Sequence, residues 1–116
     1  IKKQILHRKN RITIREMKQF TKQDYASSSG MITAIWGPGM WHFLHTISFN
    51  YPMKPTKEEK DQYEAYINSL RYVLPCRYCR DNYAKNLKSA GWKRGVLRNR
   101  DTFSRFVYRL HNAVNR

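Results

Sequence analysis

Past residue 35, apolar residues recur along the chain at helical spacing. Met40, Trp41, Leu44, Ile47 and Ser48 fall on one face, and Tyr51-Pro52 and Pro55 end that segment. Trp36-Gly-Pro-Gly39 punctuates its start, with Pro38 suited to a first helical turn. Thr56-Lys-Glu-Glu59 has the form of a capping box. It opens a second helix with Tyr63, Tyr66, Ile67, Leu70 and Val73 on one stripe, stopped by Pro75. A third helix opens at Cys76, points Cys79, Tyr83 and Leu87 inward and ends near Gly91. After a short loop holding Trp92 and Gly95, Asn99 or Asp101 caps a fourth, carrying Phe103, Phe106, Val107, Leu110 and Val114. Period-two alternation is confined to an ambiguous Ile12–Ile14. The pattern predicts an all-α fold: a four-helix bundle with room for a short fifth helical element.

Residues 1–25 are rich in Lys, Arg and Gln, and Ala26-Ser-Ser-Ser-Gly30 reads as a linker. The expected organisation is a basic N-terminal extension over 1–30 and a helical domain over 31–116. A chain of 116 residues suits one domain with a modest core, which a cofactor or partner subunit can supplement. Apolar residues at 41% and aromatics at 14% argue against disorder. No apolar run reaches the roughly 18 residues of a membrane span, and no apolar segment follows the basic start as in a secretory signal. The chain opens without Met and closes on Arg116, and reads as part of a longer protein. Lys plus Arg number 23 against 8 Asp plus Glu, a net charge of +15. That excess attracts polyanions such as nucleic acid, anionic lipid or an acidic protein surface, or else keeps the protein soluble.

The two cysteines form one C-x-x-C, Pro75-Cys76-Arg-Tyr-Cys79. At a helix start they can close a disulfide within one turn or stay a dithiol. The helix N-terminus and the charges of Arg77 and Arg80 favour a thiolate, the species that attacks disulfides. The same motif also reads as half of a metal site or as two structural thiols. A zinc site would draw on His7, His42, His45 or His111. His42 and His45 are three apart on a helix, but neither has finger spacing to the cysteines. No metal is expected. A thioredoxin-like fold would frame the motif with strands, and none do.

The surroundings of the motif carry a resemblance. Trp36-Gly-Pro-Gly-Met-Trp41-His-Phe-Leu-His45-Thr, then Tyr51-Pro52, then Leu74-Pro-Cys76-Arg-Tyr-Cys79, then His111-Asn112-Ala-Val-Asn115 resembles the Erv/Alr family of FAD-linked sulfhydryl oxidases in order and spacing. The resemblance implies a helical bundle holding FAD, oxidation of protein dithiols to disulfides and reduction of oxygen to hydrogen peroxide. It implies Cys79 as the cysteine nearest the flavin ring and Cys76 as the one that exchanges disulfides with substrate. Trp41 and His45 are implied in the flavin pocket. His111, Asn112 and Asn115 are implied at the adenosine, with Gly37 and Tyr51 carried over from the same stretches. Side-chain chemistry agrees: Trp41 with His45, and His111 with Asn115, are i,i+4 pairs, each able to face one ligand. Core packing for Trp41 and a solvated face for His111 and Asn115 remain the bland alternatives.

The second cysteine pair usual in the family is absent, as are the basic residues and short helix usual after H-N-x-V-N. The shortness resembles the compact members of large DNA viruses. Expected partners are protein dithiols, a thioredoxin-like carrier among them, molecular oxygen and a second copy of the chain. A viral particle or assembly site and the mitochondrial intermembrane space are the candidate locations. The competing function is a basic helical module that keeps the oxidase fold and docks on nucleic acid or within an assembly, supported by the N-terminal extension and by Lys88, Lys93, Arg94, Arg98 and Arg100.

Overall fold

The computed structural model describes Lys22 and residues 33–115, with the backbone alone at 34 and 35. The extension over 1–30, Lys22 aside, and the Ile12–Ile14 pair lie outside the described residues. Four helices follow in order: α1 (Thr33–Phe49), α2 (Lys57–Val73), α3 (Arg77–Ser89) and α4 (Arg100–Val114). A 3-10 turn, Arg94–Arg98, precedes α4 and supplies the short fifth helical element. It stands where the pattern suggested only a loop around Gly95. No strand occurs among the described residues, and none of their helices is long and apolar enough to cross a membrane. Helix α1 lies against α4, α2 against α3 and α3 against α4, with the 3-10 turn held by α2 and α4.

Local chemistry sets the helix ends. Thr56 Oγ1 accepts from the Glu59 N–H at 3.1 Å while Glu59 accepts from the Thr56 N–H at 2.8 Å, the expected capping box. Asn99, not Asp101, caps α4, accepting from the Thr102 N–H at 2.9 Å. Gly91 follows α3 with φ +80°, a conformation that costs glycine little, and its N–H returns to the Lys88 carbonyl at 3.0 Å.

Two expectations are corrected. Helix α1 begins at Thr33, so Pro38 sits inside it and not in its first turn. Gly37 makes this tolerable: the residue before a proline is pushed from helical angles partly by a clash at its Cβ, which glycine lacks. Val73 lies off the buried stripe of α2, 63% exposed, because the chain leaves the helix there and Leu74 turns inward instead.

The core joins all four helices. Leu44 of α1, Ile67 and Leu70 of α2, Tyr83 and Leu87 of α3, and Phe103, Phe106, Val107 and Leu110 of α4 are buried together. Tyr83 donates its hydroxyl to the Ile67 carbonyl at 2.6 Å and pins α3 to α2.

Candidate active site

A cavity of about 250 Å³ opens between the helices. Each helix contributes one stripe. From α1 come Thr33, Trp36, Gly37, Met40, Trp41 and Leu44, spaced by three or four residues. Starting α1 at Thr33 brings Trp36 and Gly37 onto this wall. From α3 come Tyr78, Cys79, Asn82, Tyr83 and Asn86, at the same spacing. Leu70 and Leu74 close one side, and Leu110, Ala113 and Val114 of α4 the other. The wall is largely apolar, with the Cys79 thiol, the amides of Asn82 and Asn86 and the hydroxyl-bearing Thr33, Tyr78 and Tyr83 set into it.

The dithiol stands where α2 hands over to α3. Cys76 is the N-cap of α3, its Sγ accepting the Cys79 N–H at 3.2 Å. Arg80 donates to the Leu74 carbonyl at 2.5 Å and braces the turn between the two helices. Pro75 and the helix start in the sequence point to Cys76 as the accessible thiol. The structure reverses this: capping turns its Sγ inward, leaving the residue 7% exposed, while Cys79 is half-buried on the cavity wall. Both cysteines are free thiols.

Their acidities diverge. Burial opposes the Cys76 thiolate, but hydrogen bonds from the Cys79 thiol, the backbone of Cys79 and Tyr78 and the Thr33 hydroxyl outweigh it, and its pKa is lowered. Burial pushes the Cys79 thiol up to about 11, helped by its hydrogen bond to Cys76 and the negative charge developing there. Of the two thiols, Cys76 is therefore the first to give up its proton.

A ring cluster adjoins the cavity. Trp41 stacks on His111 with centroids 4.1 Å apart and planes 9° from parallel. His45 Nε2 and His111 Nδ1 are 3.0 Å apart, a hydrogen bond in which one ring donates and the other accepts. Phe49 stacks on His45 with centroids 6.3 Å apart. Burial and then the neighbouring His111 and His42 lower the His45 pKa below its usual 6.5.

The structure brings together Gly37, Trp41, Cys76, Cys79, His45 and His111. Asn112 and Asn115, exposed at the end of α4, do not line the cavity. Tyr51 stands apart in the core. It is fully buried, packs edge-on against Tyr63 and Phe103 and donates to the Leu97 carbonyl at 2.7 Å. Sequence reasoning missed Asn82 and Asn86, although their spacing of three and seven residues from Cys79 marks the same face.

The cavity fits a flat ring system. Its volume approaches the roughly 300 Å³ at which pockets for drug-sized molecules begin. That is enough for a fused aromatic ring but not for a whole dinucleotide. The remainder would lie outside, where the Trp41–His111 stack and the α4 end present aromatic and amide groups.

Comparison with known proteins places this arrangement. Residues 38–116 match the Erv1/Alr family. Among similar proteins is a probable FAD-linked sulfhydryl oxidase of Acanthamoeba polyphaga mimivirus, 41% identical over 80 residues, 69% of this chain and 56% of that protein. Another is the FAD-linked sulfhydryl oxidase ERV1 of Arabidopsis thaliana, 35% identical over 80 residues, 69% of this chain and 40% of that protein. The chain thus spans about half the length of these curated relatives. The fold is similar to the yeast Erv1 core crystal structure, with a TM-score of 0.65 at 22% identity, covering 88% of this chain and 80% of that one. Fold, dithiol placement and sequence match agree: the chain belongs to the Erv1/Alr family.

Proposed function

We propose that the chain is an FAD-dependent sulfhydryl oxidase that forms disulfides in protein dithiols through Cys76 and Cys79. One observation carries the reading: a C-x-x-C capping a helix sets its second thiol into the wall of an apolar, aromatic-sided cavity. The names of the mimivirus and plant relatives support it.

The chemistry follows from the dithiol. With Cys76 and Cys79 joined, a substrate thiolate attacks Cys76 Sγ, and Cys79 leaves as thiolate. The second substrate thiol then displaces Cys76. Substrate loses two electrons and two protons, and the chain's disulfide becomes a dithiol. FAD held beside Cys79 would supply a two-electron acceptor whose electrons dioxygen could take up as hydrogen peroxide. Trp41, Gly37 and Leu44 would hold the ring system. His45 would sit with Trp41 at the flavin pocket, and His111, Asn112 and Asn115 would hold the adenosine portion. Filling the cavity would cover Cys79, so exchange with substrate falls to Cys76, which is only 7% exposed but sits at the α3 N-terminus that favours its thiolate. A purified protein with flavin absorbance that consumes oxygen on addition of dithiol bears this out. A colourless protein that FAD cannot reconstitute sinks it.

A homodimer is part of this proposal. An apolar hollow lined by Phe43 and Ile47 of α1 and Tyr63 and Tyr66 of α2 favours a second copy. Viral and mitochondrial relatives make a viral assembly site or the mitochondrial intermembrane space the candidate addresses. Polyanion contact has its own support. The acids Glu58, Glu59, Asp61 and Glu64 cluster on α2, leaving Lys85, Lys88, Lys93 and Arg98 exposed on the rest of the surface. A steep salt dependence of nucleic-acid binding is the test of that second reading.

A further inference from the structure

The surface beside the dithiol exposes a cluster of large side chains. Tyr72, Val73 and Tyr78 are 73%, 63% and 76% exposed, and all three lie within four residues of Cys76. The guanidinium of Arg71 rests over the Tyr72 ring at 5.3 Å from its centroid, and Arg77 is exposed next to Cys76. Neither arginine meets a carboxylate in an ion pair among the described residues. The two helix ends that carry these side chains are joined through Leu74 and Pro75, and the Arg80 bond to the Leu74 carbonyl locks the joint. Tyrosine and arginine on a rigid support make a surface typical of binding hot spots. Nothing in the proposed exchange between Cys76 and Cys79 requires Tyr72 or Val73, and Tyr78 reaches this surface from the cavity wall.

We infer that Arg71, Tyr72, Val73, Arg77 and Tyr78 form a docking surface for a cysteine-bearing protein segment with apolar and acidic side chains beside its thiols. This rests on the oxidase reading and names the partner class for that site. Charge selects the occupant. From Arg71 to Asn82 the chain carries Arg71, Arg77 and Arg80 against Asp81 alone. The chain's own residues 1–32 hold eight Lys or Arg against two acids, and the whole chain carries +15, so both the arm and a second copy meet like charge here. An acidic segment is attracted, and its apolar side chains cover Tyr72 and Val73 while a thiol reaches Cys76.

The test is oxygen uptake by the flavin-loaded full chain with three reductants: dithiothreitol and two synthetic Cys-x-x-Cys peptides, flanked by Leu with Asp or by Leu with Lys. The Asp peptide is expected to react with a kcat/KM about tenfold above that of the Lys peptide, a gap that narrows with salt. The double variant Arg71→Glu with Tyr72→Ser is expected to lower kcat/KM for the Asp peptide about tenfold and to favour the Lys peptide, with dithiothreitol turnover retained. Equal losses for peptide and dithiothreitol overturn the inference and make the patch a support for the dithiol. A gain with the Asp peptide identifies the chain's own arm as the occupant and also overturns it. So does an oligomer in the wild type that the variant dissolves, which identifies a second copy. Absence of dithiothreitol turnover in the wild type counts against the oxidase reading instead. Binding of the fluorescently labelled Asp peptide to both proteins then still decides docking: equal affinity for the two contradicts it.

Discussion

The indole of Trp41 lies flat on the imidazole of His111, with centroids 4.1 Å apart and planes 9° from parallel. The contact joins α1 to α4 beside the cavity, whose wall Trp41 also forms. One side chain thus closes the ring pocket and anchors the region where the rest of a dinucleotide would lie.

Replacing Trp41 by Ala removes both surfaces. Aromatic pairs contribute about 0.5–1.5 kcal/mol beyond the area they bury, so loss of the stacking alone should weaken FAD binding about two- to tenfold. Trp41→Phe should keep most of the affinity. Quenching of flavin fluorescence during titration measures both, and unchanged binding by the Ala variant contradicts a role at the ring.

Burial of His45 beside His111 and His42 makes the protein sensitive to acid. The folded state favours neutral His45, whose pKa is lowered from 6.5 chiefly by burial. The unfolded chain therefore binds the proton more readily, and stability rises with pH across the gap between the two values. The contribution is complete above 6.5 and is lost as pH falls through the lowered folded-state value. Urea midpoints measured from about pH 5 to 8 should fall on acidification more steeply for the wild type than for His45→Gln. Parallel profiles contradict this.

Cys76 owes its acidity partly to a neighbour. With Cys79→Ala the thiol donor to Cys76 disappears while the backbone N–H groups remain. The pH midpoint for alkylation of Cys76 should move upward in that variant. A midpoint that stays or falls would mean the α3 N-terminus alone sets it.

Tyr51 is expected to matter for stability and not for flavin. Tyr51→Phe leaves the Leu97 carbonyl without its buried donor, at a cost of about 1–3 kcal/mol. Denaturant unfolding measures that loss, and FAD titration of the same variant should be unchanged. Weakened FAD binding without loss of stability would return Tyr51 to the cofactor site.

Much of this was legible in the chain because the helices obey their local signals. Thr56 and Asn99 cap as their side chains dictate, and the apolar stripes of α2 and α4 became core, apart from their last residues Val73 and Val114. Helix α1 was less legible, since Trp36-Gly-Pro-Gly39 looks like a boundary and only the missing Cβ of Gly37 lets helix run through it. The cysteines were placed correctly at a helix start, but exposure follows the direction of Sγ. Capping, a three-dimensional bond, turned Cys76 inward. Asn112 and Asn115 share the helix with His111, yet the rotation of α4 turns Leu110, Ala113 and Val114 to the cavity and leaves all three polar residues off its wall.

The central claim is that Cys79 passes electrons from the dithiol to a flavin held in the cavity. It is tested most directly by following the visible flavin absorbance of the FAD-loaded protein during anaerobic titration with dithiothreitol. The expected result is bleaching in the wild type, recovery on admitting oxygen, and no bleaching at matched times in Cys79→Ser. Bleaching of Cys79→Ser at the wild-type rate would contradict the account.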